Sequence, residues 1–244
     1  MGRSRENKLS LLSTPNFEAF CIYNADFMHF RGEVVNENLF KNFNNGIQKC
    51  VFMNQIHSNI AQIYDENYEK DENLRRCDAL VCDKKGIALC VLSADCLPLL
   101  LWHKSGIILA LHSGRVGCFL NILEQSVLKA KELFNKRLNE NLNEPKNKDF
   151  NFKNEDFALI IAPGICAKNY EISGEVLELA QKNFKPFLEQ NHLNLKALVK
   201  DEAKKLGITE IKDCAICSFE DERFYSYRRD KTSKRFVSVI YLKA

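Results

Sequence analysis

The chain has 244 residues, 45% of them hydrophobic and 27% charged, with only 10 Gly and 5 Pro. That composition excludes collagen-like, disordered and repeat classes, and at roughly 100–200 residues per domain the length allows one large domain or two small ones. With 35 Lys and Arg against 32 Asp and Glu the formal net charge is +3, too balanced for nucleic-acid binding by field, so any phosphate recognition must be local.

No apolar run reaches the length of a membrane span. Residues 1–8 are polar and lead into no hydrophobic signal core, so a cytoplasmic protein is expected. Its 10 Cys should then stay reduced, without a disulfide framework. No internal repeat recurs at a fixed period.

In chain order, the first informative stretch is the apolar run Cys50-Val51-Phe52-Met53-Asn54-Gln55-Ile56, which closes on His57. Residues 87–92, 97–102 and 107–112 then read as three buried strands separated by tight turns, the second turn, His103-Lys104-Ser105-Gly106, being of hairpin type. After His112 comes Ser113-Gly114-Arg115-Val116-Gly117, followed by Phe119, Ile122, Leu123, Val127, Ala130, Leu133 and Phe134 at helical spacing. A glycine loop opening a helix is a reasonable anion or substrate site. Residues 139–156 read as a solvated loop, the one candidate boundary. The apolar run 157–162 is expected to return as a strand to the same sheet, which favours a single domain, 1–244. Helices are predicted over 173–190 and 194–205, the latter ending at Gly207 as C-cap, and a last strand over 235–242. Interleaved strands and helices, with hairpins and crossovers, predict a mixed-sheet α/β or α+β fold with helices outside.

Five histidines are present, His29, His57, His103, His112 and His192. A multicopper oxidase centre needs on the order of ten imidazoles by the ligand preferences of copper, more than one chain of this sequence holds. His57 and His112 each close an apolar run, and Cys96 lies between two predicted strands in Ser93-Ala94-Asp95-Cys96-Leu97-Pro98. Two imidazoles and a thiolate would make a three-ligand zinc site with an open fourth position, the catalytic pattern. Singly, each also reads as a hydrogen-bonded loop His or a small buried thiol. Cys214-Ala215-Ile216-Cys217 has the Cys-x-x-Cys form but no second pair and no following helix signature, which favours structural burial. Tyr225-Ser226-Tyr227-Arg228-Arg229-Asp230 sets two guanidiniums beside aromatics and a carboxylate, suited to phosphate or base binding, or else to a salt-bridged turn. If extended, it would turn only one of the two arginines toward a site.

Taken together, six segments resemble the YfiH family, long called the laccase-domain or polyphenol oxidase family, whose members are purine nucleoside phosphorylases. They are Asn54-Gln55-Ile56-His57, Asp78-Ala79-Leu80-Val81, Ser93-Ala94-Asp95-Cys96-Leu97-Pro98, His112-Ser113-Gly114, Ala162-Pro163-Gly164-Ile165 with Tyr170-Glu171-Ile172, and Phe224-Tyr225-Ser226-Tyr227-Arg228-Arg229-Asp230. The resemblance implies a four-layer α/β/β/α sandwich with mixed sheets. It implies metal ligation by His57, Cys96 and His112, with zinc as cofactor and copper as the alternative. It also implies phosphorolysis of adenosine, inosine, guanosine or methylthioadenosine, with hydrolytic deamination of adenosine as a second activity. Purine nucleosides and phosphate are then the partners, with neither nucleic acid nor membrane. Cys96, His57 and Asp95, the last as a proton carrier, are the candidate catalytic residues; Arg228, Arg229 and Arg31 are the candidate phosphate clamps. Where the family reads His-Ala-Gly-Trp-Arg-Gly this chain reads His112-Ser113-Gly114-Arg115-Val116-Gly117, and the family's Thr-Arg-x-Gly-Gly segment has its counterpart in Phe30-Arg31-Gly32. A copper-dependent phenol oxidase and a non-enzymatic metal- or thiol-binding protein are the alternative readings.

Overall fold

The computed structural model describes residues 7–36, 46–140 and 151–243. Its strands are β1 (Lys8–Ser13), β2 (Phe17–Ile22), β3 (Val34–Asn36), β4 (Lys49–Phe52), β5 (Ala61–Ile63), β6 (Ala79–Cys82), β7 (Ile87–Ser93), β8 (Leu97–His103), β9 (Ile107–Ser113), β10 (Phe157–Ile161), β11 (Leu188–Glu189), β12 (His192–Leu193), β13 (Glu210–Asp213) and β14 (Phe236–Leu242). The helices are α1 (Glu66–Lys70), α2 (Arg115–Phe119), α3 (Ile122–Glu140), α4 (Gly174–Asn183), α5 (Leu195–Lys205) and α6 (Tyr227–Asp230). None is long and apolar enough to cross a membrane.

Two six-stranded mixed sheets form, in the orders β1-β2-β14-β7-β4-β3 and β13-β10-β8-β9-β6-β5. The strands β7, β8 and β9, apolar except at their C-terminal ends, are buried almost throughout because each has a packed layer on both faces. Along β7, Leu89 and Val91 point into the core between the sheets, where they meet Leu100, Ala110, Ile160, Phe236 and Ile240. Cys90 and Leu92 point to the opposite face, with Phe20, Phe52, Val237 and Val239. On the outer face of the second sheet α3 and α5 pack Val127, Phe134, Leu198 and Val199 onto Leu99, Leu101, Leu109 and Leu111. The sandwich thus carries helices outside the second sheet, as expected. Over the first sheet the covering element, among the described residues, is a 3-10 turn, Met28–Phe30.

The three central strands lie within a residue of where the apolar runs place them, but their distribution differs from a simple meander. β8 and β9 pair as a hairpin across Gly106, whose φ of +78° a side chain rarely adopts. β7 belongs to the other sheet, so residues 94–96 carry the chain from one sheet to the other. That crossing positions Asp95 and Cys96.

Three predicted elements change. The glycine loop opens α2, but a break at Leu120 and Asn121, with Asn121 at φ +57°, separates it from α3. The helix predicted over 173–190 ends at Asn183, because Pro186 enters the first turn of a 3-10 helix, Lys185–Phe187, and disfavours helical backbone before it. Two residues of the predicted loop, Asn139 and Glu140, extend α3, while residues 141–150 lie outside the described residues. By contrast α5 matches its prediction at both ends. Asn194 caps it by accepting from the Ala197 N–H at 2.9 Å, and Gly207, at φ +85°, closes it.

Candidate metal centre and phosphate pocket

His57, Cys96 and His112, distant in sequence, converge at the ends of three segments: the loop after β4, the crossing from β7 to β8, and the end of β9. Their ligand atoms lie within 4.8 Å of one another. Cys96 Sγ stands 3.9 Å from His57 Nε2, and the two imidazoles meet edge to face with centroids 4.8 Å apart. Gly114 allows this approach, since a Cβ there would fall 2.9 Å from Cys96 Sγ.

Asp78, fully buried just before β6, holds the two histidines of the trio in place. It accepts from the backbone N–H groups of Ile56, His57 and Ser58, from the Ser58 hydroxyl, and at 2.8 Å from His112 Nδ1. The last bond fixes the tautomer so that His112 Nε2 is the nitrogen left for a ligand. Asp78 also anchors His57, whose backbone is held at φ +59°. Burial works to raise the Asp78 carboxyl, but His112 and the Ser58 donors bring it below its ordinary value. Burial likewise pushes the Cys96 thiol up, yet the charge and hydrogen bonds of His112 and His57 outweigh it and bring it down to about 6. For His112 burial opposes protonation, while Cys96 and Asp78 raise it to about 9. A thiolate facing an imidazolium follows, an ion pair that a divalent cation can replace with release of the imidazolium proton.

The donor set fits a metal: one soft sulfur, two nitrogens, a carboxylate fixing one imidazole from behind, and a cavity on the open side. That cavity measures about 410 Å³. Arg31, Arg115, Arg228 and Arg235 line it, with Asp95 as the one carboxylate on its wall among the described residues and Tyr170, Tyr227, Val116 and Leu92 among its aromatic and apolar parts. Four guanidiniums on one cavity of a chain of net charge +3 concentrate positive charge locally, which suits an anion.

The six candidate residues beyond the trio divide as follows. Arg228 faces the cavity, its guanidinium 5.2 Å from the Tyr170 ring and one nitrogen donating to the Glu171 carbonyl. Arg229 does not. It pairs with Asp230 and donates to the carbonyls of Ser218, Phe219 and Phe224. The segment is a one-turn helix rather than extended, because Ser226 Oγ accepts from the Arg229 N–H as an N-cap, and neighbours on a helix diverge by about 100°. Arg31 reaches the cavity and donates to the Gln55 carbonyl. Asp95, at φ +104°, has both oxygens engaged: Oδ1 with the Ser218 hydroxyl at 2.8 Å and Oδ2 with the Arg228 backbone N–H at 2.6 Å. The Cys214 and Cys217 side chains do not pair; Cys217 faces Cys166.

Sequence reasoning gave Asp78 no role, although a lone acid ahead of an apolar strand was a usable signal. It also overlooked Arg235 and set Arg115 aside as a departure from the family motif. Displaced by one position, Arg115 still lines the cavity.

The structure is a two-sheet mixed α/β fold with a candidate metal site at His57, Cys96 and His112, and the comparisons make the class specific. Residues 31–243 match the family model described as multi-copper polyphenol oxidoreductase laccase. Purine nucleoside phosphorylase Cj1217c of Campylobacter jejuni is 56% identical over 244 residues, all of both chains. Purine nucleoside phosphorylase YfiH of Shigella flexneri is 27% identical over 204 residues, 80% of this chain and 74% of that one. The crystal structure of Neisseria meningitidis protein NMB0706 superposes with a TM-score of 0.72 at 18% identity, covering 98% of this chain and 100% of the other, and supports the fold. The chain belongs to this YfiH, or laccase-domain, family.

Proposed function

We propose that this chain is a cytoplasmic purine nucleoside phosphorylase, one domain over 1–244, acting on adenosine, inosine, guanosine and methylthioadenosine, with zinc-dependent deamination of adenosine as a second activity. The carrying observation is the single cavity that joins a His-Cys-His ligand set to four guanidiniums. The names of the relatives at 56% and 27% identity support the same reading.

In phosphorolysis a phosphate oxygen attacks C1′ of the ribose while the bond to the purine nitrogen breaks and its electron pair leaves with the base, which takes up a proton. The arginines suit the first partner: Arg228, ordered by Asp95 at its backbone and by Tyr170 at its guanidinium, presents planar donors to phosphate, with Arg31 and Arg115 on the same cavity. Tyr170, Tyr227 and Val116 offer flat apolar surface to the purine. In this reading Asp95 is a positioning residue, since both of its oxygens hold protein donors. His57, Cys96 and His112 would hold zinc, which would supply the Lewis acidity that deamination by water needs.

The oxidase alternative draws on the family's descriptive name. Against it, His103 is fully buried on Ser105 and the Lys153 carbonyl, and neither His29 nor His192 lines the cavity. Chromatography of adenosine incubated with metal-loaded protein tests the proposal. Adenine and ribose 1-phosphate are expected with phosphate, and slow conversion to inosine without it. Neither product from folded, metal-loaded chain would leave the binding-protein reading.

A further inference from the structure

A second group of ligand atoms lies apart from the cavity. Cys166, Cys217 and Glu220 bring their sulfurs and a carboxylate oxygen within 4.8 Å of one another. Cys166 Sγ is 3.7 Å from Glu220 Oε1, close to the edge of a tetrahedron built on metal–ligand bonds of roughly 2.0–2.3 Å. Into this group points the Asn169 amide nitrogen, whose two N–H groups are shared among three acceptors, 3.1 Å from Cys166 Sγ, 3.6 Å from Cys217 Sγ and 2.7 Å from Glu220 Oε1. One positively polarised group therefore sits where three acceptors converge, the position a cation would take. Lys168 adds a second positive group, 2.7 Å from Glu220 Oε1. The backbone is already set around the sulfurs: the Cys166 N–H donates to Cys217 Sγ at 3.2 Å, and Ser218 N–H to the Gly164 carbonyl at 3.1 Å.

We propose that Cys166, Cys217 and Glu220 form a second site, for a soft divalent cation such as zinc, with the Asn169 carbonyl oxygen as fourth donor once its amide has rotated. Binding releases the two thiol protons to solvent. Four protein donors make the closed pattern of a structural site. A disulfide between the two sulfurs would leave Glu220 and Asn169 without a part. The cation would tie the loop after β10, which carries Tyr170 on the cavity wall, to the segment that leads into α6, which carries Arg228 there. The inference stands on its own residues and does not depend on the proposed reaction.

Chelator-stripped protein titrated with Co2+, with the thiolate-to-cobalt charge-transfer absorbance followed, tests it. About two equivalents per chain are expected, falling to about one in Cys166→Ser and in Cys96→Ser, and to none in the double variant. Glu220→Gln, at an exposed position that leaves folding intact, should weaken the second equivalent while sparing the first. Cys166→Ser taking up as much cobalt as the wild type would overturn the proposal. So would a native thiol titration that gains two thiols on reduction in the wild type but not in Cys166→Ser, since that marks a disulfide.

Discussion

Asp78 concentrates more of the site's order than any of the three ligands, because one buried carboxylate accepts five hydrogen bonds and faces one of them. Asp78→Asn keeps the shape but loses the charge and turns an N–H₂ toward those donors. Metal affinity should fall roughly 10–100-fold, measured by chelator competition; unchanged affinity would remove Asp78 from the site's support. Gly114→Ala is a steric counterpart. Its Cβ would meet the ligand sulfur at 2.9 Å, so metal should be lost at a stability cost of about 1–3 kcal/mol, with circular dichroism showing the fold retained. The two adjacent arginines should separate cleanly. Arg228→Lys is expected to raise the apparent KM for phosphate while leaving adenosine deamination, which uses water, much less affected. Arg229→Ala should instead lower the melting temperature, since three carbonyls lose their donor, at about 1–3 kcal/mol in all. Equal phosphate KM in the wild type and Arg228→Lys would shift the clamp to Arg31. At this scale the candidate trio could be suspected from His57 and His112 at the ends of apolar runs and Cys96 between two strands, but each also read as a loop His or a buried thiol, and the family resemblance singled them out. The choice between Arg228 and Arg229 was not, because it depends on the Ser226 cap that turns the segment into a helix.

Among the elements, strands bounded by Gly or polar turns were readable to within a residue, and α5 was readable from its Asn194 and Gly207 ends. Sheet membership was not. A strand with both faces buried has the same apolar run whichever sheet it joins, so β7 gave no sign that it pairs with β14 and β4 while β8 pairs with β9. The packing of α5 on α3 adds a titratable contact that neither helix reveals alone. Glu202 accepts from the Glu124 N–H near the start of α3 at 3.1 Å, while its other oxygen is buried with no hydrogen-bond partner among the described residues. Burial raises this carboxyl from 4.5 to about 7. The fold thus prefers the protonated form, whose stabilising effect is complete below pH 4.5 and lost as pH rises through 7. Glu202→Gln keeps the acceptor without the charge. It should exceed the wild type by about 1–2 kcal/mol in urea unfolding at pH 8 and match it at pH 4. A constant difference at both values would assign the effect to packing instead.

For the whole molecule, two sheets stacked with helices outside the second bring segments from residues 28 to 235 onto one cavity. The order of the six motifs along the chain made that convergence legible. The Cys166 and Cys217 pairing was not, because Cys214-Ala215-Ile216-Cys217 drew attention to a neighbour in sequence when the partner comes from the loop after β10. The central claim is that the His57, Cys96 and His112 site and the arginine-lined cavity act together in phosphorolysis. It is tested most directly by measuring phosphate-dependent adenine release and bound zinc on the same preparation of Cys96→Ala. The account predicts that about one zinc per chain is lost relative to the wild type and that adenine release goes with it. A folded Cys96→Ala protein that keeps its full zinc content, or that releases adenine at the wild-type rate without that zinc, would contradict it.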